Sequence, residues 1–186
     1  MRQHIHLLII DPQNDFCDLP PAHLALNPLT GRAHAPALPV PGAHADMQRL
    51  AGLIRAGGAG LGDITVTLDS HHHLDIAHPT FWRRRDAGAL ASVAPFTPIS
   101  AQQVRDGEFQ PRDPGALPRA LAYLDALEAR GRYTLMVWPV HCEIGSWGTT
   151  STPTFAPPAT NGKRTTCASF RWSARARTPG PNTTAP

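Results

Sequence analysis

Asp69, His71, His72, His73 and His78 set a carboxylate and four imidazoles close together in sequence. Carboxylate oxygen and neutral imidazole nitrogen together suit zinc, iron or manganese, and two or three protein ligands leave coordination positions open to water or substrate. A histidine-rich loop can equally be solvated, and the spacing Asp-x-His leaves both readings open. A second set lies at Trp138-Pro139-Val140-His141-Cys142. There a cysteine beside a histidine invites a nucleophile reading, while His141 alone could serve as a further metal ligand. Asp11 is a third candidate, as a proton-transfer group or as a simple cap of the turn at Pro12. Phe16, Trp138 and Cys17 are by default core residues.

The elements that must deliver these residues can be read from periodicity. Ile5 and then Leu7 to Ile10 form a short apolar run stopped by Asp11-Pro12, as expected of a strand buried on both faces. Residues 19 to 43, rich in Pro, Ala and His, read as a long loop. Asp46 is placed to cap a helix whose Met47, Leu50, Ala51 and Ile54 share one face, with Gly57-Gly58 ending it. Ile64 to Leu68 is a second strand ending at Asp69. Residues 79 to 113 read as an irregular excursion with a short helical piece near Ala101 to Asp106. Asp113-Pro114 opens a helix with Leu117, Leu121, Leu124 and Leu127 on one face. Tyr133 to Trp138 is the third predicted strand. This alternation predicts an α/β fold, a three-layer parallel sheet with Asp11, Asp69 and His141 at its strand tips. The absence of GxGxxG after the first strand and of a P-loop removes the common phosphate-cradling versions.

Composition divides the chain near Gly148. Residues 1–148 hold all fourteen acids against twelve arginines and no lysine, a net charge of −2, so the overall +3 comes from five basic residues beyond that point. The basic balance therefore does not indicate nucleic-acid binding. Residues 149–186 contain ten Thr and six Pro but no Asp, Glu, Leu, Ile, Val or Met, and such a segment is predicted to be a disordered tail. Three scattered cysteines point to neither a disulfide framework nor a zinc ribbon and suit a reducing cytoplasm. No apolar run approaches the length of a membrane span.

Four blocks, taken together, carry a family resemblance: Ile9-Ile10-Asp11-Pro12-Gln13-Asn14-Asp15-Phe16-Cys17, Leu68-Asp69-Ser70-His71, Ile76-Ala77-His78-Pro79, and Trp138-Pro139-Val140-His141-Cys142-Glu143-Ile144-Gly145-Ser146-Trp147-Gly148. Over residues 4–148 the chain resembles the isochorismatase-like cysteine hydrolases, and within them the nicotinamidases. The resemblance implies a sheet of Rossmann-like order. It assigns Asp11 as the base of a Cys-Asp-Lys triad, and Asp69, His71 and His141 as ligands of a divalent metal with His78 as a looser fourth. Phe16 and Trp138 become aromatics packed against the ring of a nicotinamide-like amide. The implied chemistry is attack of a cysteine thiolate on the amide, release of ammonia and hydrolysis of the thioester, with the metal orienting the ring nitrogen. Relatives of this kind often assemble, so a homo-oligomer is compatible with it.

The resemblance also withholds two triad members. In the family Cys142 is not the nucleophile, which follows a later strand, after a lysine on an intervening strand. The single lysine, Lys163, and Cys167 both lie in the Pro/Thr/Arg-rich tail and match neither position. Codons one base out of register after Gly148 would restore the polar start of a helix, which suggests a frame slip that leaves the domain incomplete and inactive. Resequencing across the Gly148 codon tests this: an intact frame shared by homologues would refute it. Two other readings stand beside it, a hydrolase of the same fold acting on another small amide, and a non-catalytic metal- or partner-binding domain.

Overall fold

In the computed structural model of the chain, residues 5–57, 60–86, 89–129, 131–152 and 165–170 are described, the last segment by its backbone. In chain order the elements are β1 (Ile5–Ile10), α1 (Ala43–Gly57), β2 (Leu61–Asp69), β3 (Trp82–Asp86), β4 (Ala89–Ser92), β5 (Thr97–Ile99), α2 (Ala101–Arg105), β6 (Phe109–Pro111), α3 (Leu117–Glu128), β7 (Leu135–Val137) and β8 (Thr165–Phe170). They fall into two compact units, residues 75–138 forming the described part of the second.

The first unit is an α/β layer built on the parallel sheet β1-β2-β8. β1 and β2 align Leu7 with Ile64, Ile9 with Val66 and Ile10 with Thr67, which brings the tips at Asp11 and Asp69 to one end of the sheet. One face carries α1: Ile9, Ile54 and Val66 are buried together, with Leu7, Met47, Leu50 and Leu68 packed around them. Because side chains alternate along a strand, Leu8 and Ile10 point the other way and remain 55% and 66% exposed. The apolar run predicted a strand buried on both faces, and β1 is covered on one.

The helix opens at Ala43, three residues before the predicted cap at Asp46. Its free N–H groups are met instead by Asp18, whose carboxylate accepts hydrogen bonds from the Gly42 and His44 amides at 2.7 and 2.8 Å. Those bonds lower the Asp18 pKa. Asp46 pairs with Arg49 on the helix surface.

Structure also reaches beyond Gly148, where composition predicted none. Thr152 is buried, and Thr165–Phe170 align parallel to β2, Cys167 opposite Val66. Thr165–Phe170 find backbone partners that their composition does not reveal.

The second unit holds the antiparallel sheet β4-β3-β6 and the antiparallel pair β5-β7. Its core comprises Trp82, Ile99, Val104, Phe109, Leu124, Leu135 and Val137 with their smaller neighbours. Residues 79–113, predicted to be irregular, thus contain four short strands. Trp82 is the buried residue of β3, and the arginines that follow hide any apolar alternation. The predicted helix at 101–106 is α2, opened by a capping box between Ser100 and Gln103. The predicted start at Asp113-Pro114 is a single 3-10 turn that leads into α3.

The third predicted strand requires a correction. Tyr133–Trp138 contracts to Leu135–Val137, which belongs to the second unit and pairs antiparallel with β5, not parallel with β1 and β2. An apolar run specifies burial but not the partner strand or its direction. No described helix is long and apolar enough to cross a membrane.

Adjacent residues of β1 test this one-sided packing. Ile9→Ala should cost about 2–5 kcal/mol, the usual range for a buried Ile truncation, whereas Ile10→Ala should cost below about 1 kcal/mol as a surface change. Urea midpoints of the two variants check this; equal losses would mean that both faces of β1 are covered.

Candidate functional site

At the tips of β1 and β2 the chain turns through Gln13, Asn14 and Asp15, three consecutive polar residues that are 0%, 1% and 6% exposed. Buried polar groups must find hydrogen-bond partners, and these find them far along the chain, all but one more than fifty residues away. Gln13 clamps the backbone of Asp69 from both sides: its Oε1 accepts from the Asp69 amide at 2.7 Å and its Nε2 donates to the Asp69 carbonyl at 2.9 Å. The same Nε2 donates to the Thr149 carbonyl at 3.1 Å. Asn14 Nδ2 donates to the Trp147 carbonyl and to Thr150 Oγ1. Asp15 accepts the Cys142 amide on Oδ2 at 2.6 Å and the Ala37 amide on Oδ1 at 3.1 Å.

The Asp15 contact holds an unusual backbone. Cys142 has φ +47°, a left-handed conformation that costs a non-glycine residue about 1–2 kcal/mol. A hydrogen bond to a charged acceptor contributes about 1.5–3 kcal/mol, enough to offset it. Gly148 makes room for the carboxylate, because a Cβ there would overlap the Asp15 carboxyl atoms.

With the loop so held, His71 and Cys142–Ile144 join as a short parallel bridge. The His71 amide donates to the Cys142 carbonyl and the Ile144 amide to the His71 carbonyl, both at 3.0 Å. This sets the His71 and His141 rings 4.7 Å apart, and Phe16 packs edge-on against His141 with ring centroids 5.5 Å apart. Asp69 Oδ2 lies 3.0 Å from His71 Nε2 and 3.2 Å from His141 Nε2. Burial pushes the Asp69 pKa up, but hydrogen bonds from His141 and His71 outweigh it and hold the carboxyl well below the usual carboxylate range.

The orientation of His141 bears on metal binding. Its Nδ1 lies 2.7 Å from the Pro139 carbonyl; a carbonyl only accepts, so Nδ1 carries the proton. In the neutral ring Nε2 then presents a lone pair toward a carboxylate oxygen, and such a pair of acceptors calls for a cation between them, either a second ring proton or a metal ion. Nδ1–H to a backbone carbonyl is also the arrangement that orients metal-ligating histidines. One carboxylate and two imidazoles therefore form a donor set that fits zinc, iron or manganese.

The remaining candidates are held as follows. Asp11 sits at the β1 tip with φ +51° and accepts from Thr67 Oγ1 at 2.9 Å. His78 and Trp138 belong to the second unit. His78 is fully buried there, and Trp138 packs edge-on against Phe96. Lys163 lies outside the described residues. Cys17 and Cys142 are buried free thiols. Burial, with help from Asp18, pushes Cys17 up to about 11. For Cys142, burial and the charges of Asp69, Asp15 and Asp11 push the pKa higher still. Since the thiolate is the attacking species, neither cysteine is poised as a nucleophile.

Beside His141 opens a groove of about 450 Å³ lined by Asp15, His34, Trp147 and Gly148 among others, in which His34 stacks on Trp147 at 5.3 Å. The sequence reading gave no role to Gln13, Asn14, Asp15 or Gly148. The available signal was a polar triplet directly after an apolar strand, where solvent-facing residues would be the ordinary expectation.

No family model matches the chain, and neither does any curated protein. Two solved structures of the yeast nicotinamidase Pnc1p are similar to it. One is 19% identical with a TM-score of 0.45, covering 80% of this chain and 49% of that one. The other, bound to the inhibitor nicotinaldehyde, is 17% identical with a TM-score of 0.49, covering 89% and 56%. The chain thus spans about half the length of these structures.

Two outcomes follow from the site geometry. Iodoacetamide at pH 8 should leave Cys17 and Cys142 unmodified in the native protein and alkylate both after denaturation, as read by peptide mass; rapid native labelling of Cys142 would contradict the burial described. Gly148→Ala should lower stability by about 1–3 kcal/mol, the usual range for overpacking; a urea midpoint equal to wild type would show that Asp15 does not occupy that space.

Proposed function

We propose that this chain is a divalent-metal-binding domain of the nicotinamidase type, shaped to hold a small heteroaromatic amide, and that as written it does not hydrolyse that amide. The observation that carries the reading is the convergence of Asp69 Oδ2, His71 Nε2 and His141 Nε2, with His141 fixed through Nδ1 by the Pro139 carbonyl. The four sequence blocks named above support the family assignment. His78 enters as a looser fourth ligand, and Trp138 as a wall for the substrate ring, on the strength of their sequence blocks.

A divalent cation held by these ligands supplies a Lewis-acidic position able to fix one heteroatom of a substrate. The protein's own residues do the rest. Phe16, packed on His141, offers an aromatic surface close to the ligands. The groove beside His141 falls in the size range of small-molecule sites. Asp11, held by Thr67 at the sheet's ligand-bearing end, is the group proposed to carry protons.

What Cys17 and Cys142 do not supply is an attacking thiolate. Cys17 and Cys142 are buried with raised pKa values, and Cys167 sits in the interior of β8 opposite Val66 rather than at a strand tip. This supports the non-catalytic metal-binding alternative over an active amidase. The scatter of the three cysteines suits the cytoplasmic setting proposed for it.

Zinc titration of the full chain, with ammonia release from nicotinamide assayed on the same sample, tests the proposal. The expected result is one zinc per chain, affinity reduced at least about tenfold by Asp69→Ala, and no ammonia above the buffer rate. Absence of zinc binding would overturn the metal reading. Turnover would show that one of the cysteines acts as a nucleophile despite its surroundings.

A further inference from the structure

We infer that Asp15 is a positioning residue for the His141 imidazole: its carboxylate sets the conformation of the 139–148 loop in which His141 Nε2 faces Asp69. The inference rests on the metal-binding reading above and deepens it, because it places the control of ligand geometry on a group that touches no ligand atom.

Three independent contacts converge on this carboxylate. Oδ2 accepts the Cys142 amide at 2.6 Å, one peptide unit from His141. Oδ1 accepts the Ala37 amide at 3.1 Å, which ties the 34–40 loop to the same anchor. The flank of the carboxyl group lies against Gly148, where no side chain would fit. The backbone continues the pattern, since the Asp15 amide donates to the Gly148 carbonyl at 3.2 Å and the Leu38 amide to the Asp15 carbonyl at 3.0 Å. Asp15 is 6% exposed, so water cannot readily replace these partners.

A carboxylate is the group that such a position requires. Both contacts are backbone N–H donors, and both need an acceptor. An asparagine of equal size offers an acceptor at one end and an NH2 donor at the other, so it must set donor against donor at either Cys142 or Ala37. If the mismatch falls at Cys142, the support for its left-handed φ of +47° is lost. His141 then loses the fixed direction on which its 3.2 Å approach to Asp69 depends. The bridge from Cys142 to His71 passes the same displacement to the second imidazole.

The test compares metal affinity in full-length variants. Zinc dissociation constants come from competition with a chelator, and the cobalt(II) d–d spectrum reports ligand geometry. Asp15→Asn should weaken zinc binding by about 10–100-fold, the usual effect of disturbing a group that orients a ligand, and should alter the cobalt spectrum. Ile9→Ala, which loosens the core of the same unit without touching the loop, should retain wild-type affinity and spectrum. Should Asp15→Asn not fold, Gly148→Ala carries the test by displacing the carboxylate, with the same expected direction. Wild-type affinity in the folded Asp15→Asn or Gly148→Ala protein would overturn the role of Asp15 while leaving the metal site standing. An equal loss in Ile9→Ala would reduce the effect to general destabilisation and also overturn it. A wild-type chain that binds neither zinc nor cobalt would overturn the metal reading and this inference together.

Discussion

The buried carboxylate of Asp15 is the contact on which the arrangement of the first unit depends. Two loops far apart in sequence, one at Ala37 and one at Cys142, each direct an amide hydrogen at it. Burying a charge is unfavourable unless it is hydrogen-bonded, so the structure must keep both loops in place to keep Asp15 where it is. The close approach of Gly148 narrows the choice further, because the loop can pass the carboxylate only where it carries no side chain. Gln13 and Asn14 extend the same logic on either side, one to Asp69 and one to Trp147 and Thr150.

From that anchor the site follows by short steps. Clamping Asp69 at its backbone leaves its side chain free to meet two imidazoles. Fixing Cys142 fixes its neighbour His141 and, through the Cys142–His71 bridge, the other ring. The sheet contributes the parallel alignment that puts Asp11 and Asp69 at one end. The same construction that brings these side chains together also buries the nearby thiol of Cys142 among acids, which raises its pKa.

Much of the local structure was legible in the residues. The runs 5–10 and 64–68 are strands because β-branched and aliphatic residues end abruptly at Asp-Pro and Asp-Ser. The face of Met47, Leu50 and Ile54 is a helix face because its spacing matches one. Asp69, His71 and His141 were singled out as candidate ligands by chemical type and sequence block, and the structure sets their side chains side by side. The start of α1 was not, because its cap comes from Asp18, more than twenty residues upstream. The partner of β7 was not, because burial carries no information about strand direction. The triplet Gln13-Asn14-Asp15 was the largest omission: a polar run reads as surface until its distant backbone partners are known. The strand at 165–170 was hidden by a composition poor in large aliphatic residues.

The central claim is that one carboxylate and two imidazoles of the first unit hold a divalent cation. Zinc-edge X-ray absorption of the zinc-loaded full chain tests it most directly. The account predicts a first shell of nitrogen and oxygen at about 2.0–2.1 Å with the multiple-scattering signature of imidazole. A shell containing sulfur at about 2.3 Å would place zinc on cysteine instead and contradict it.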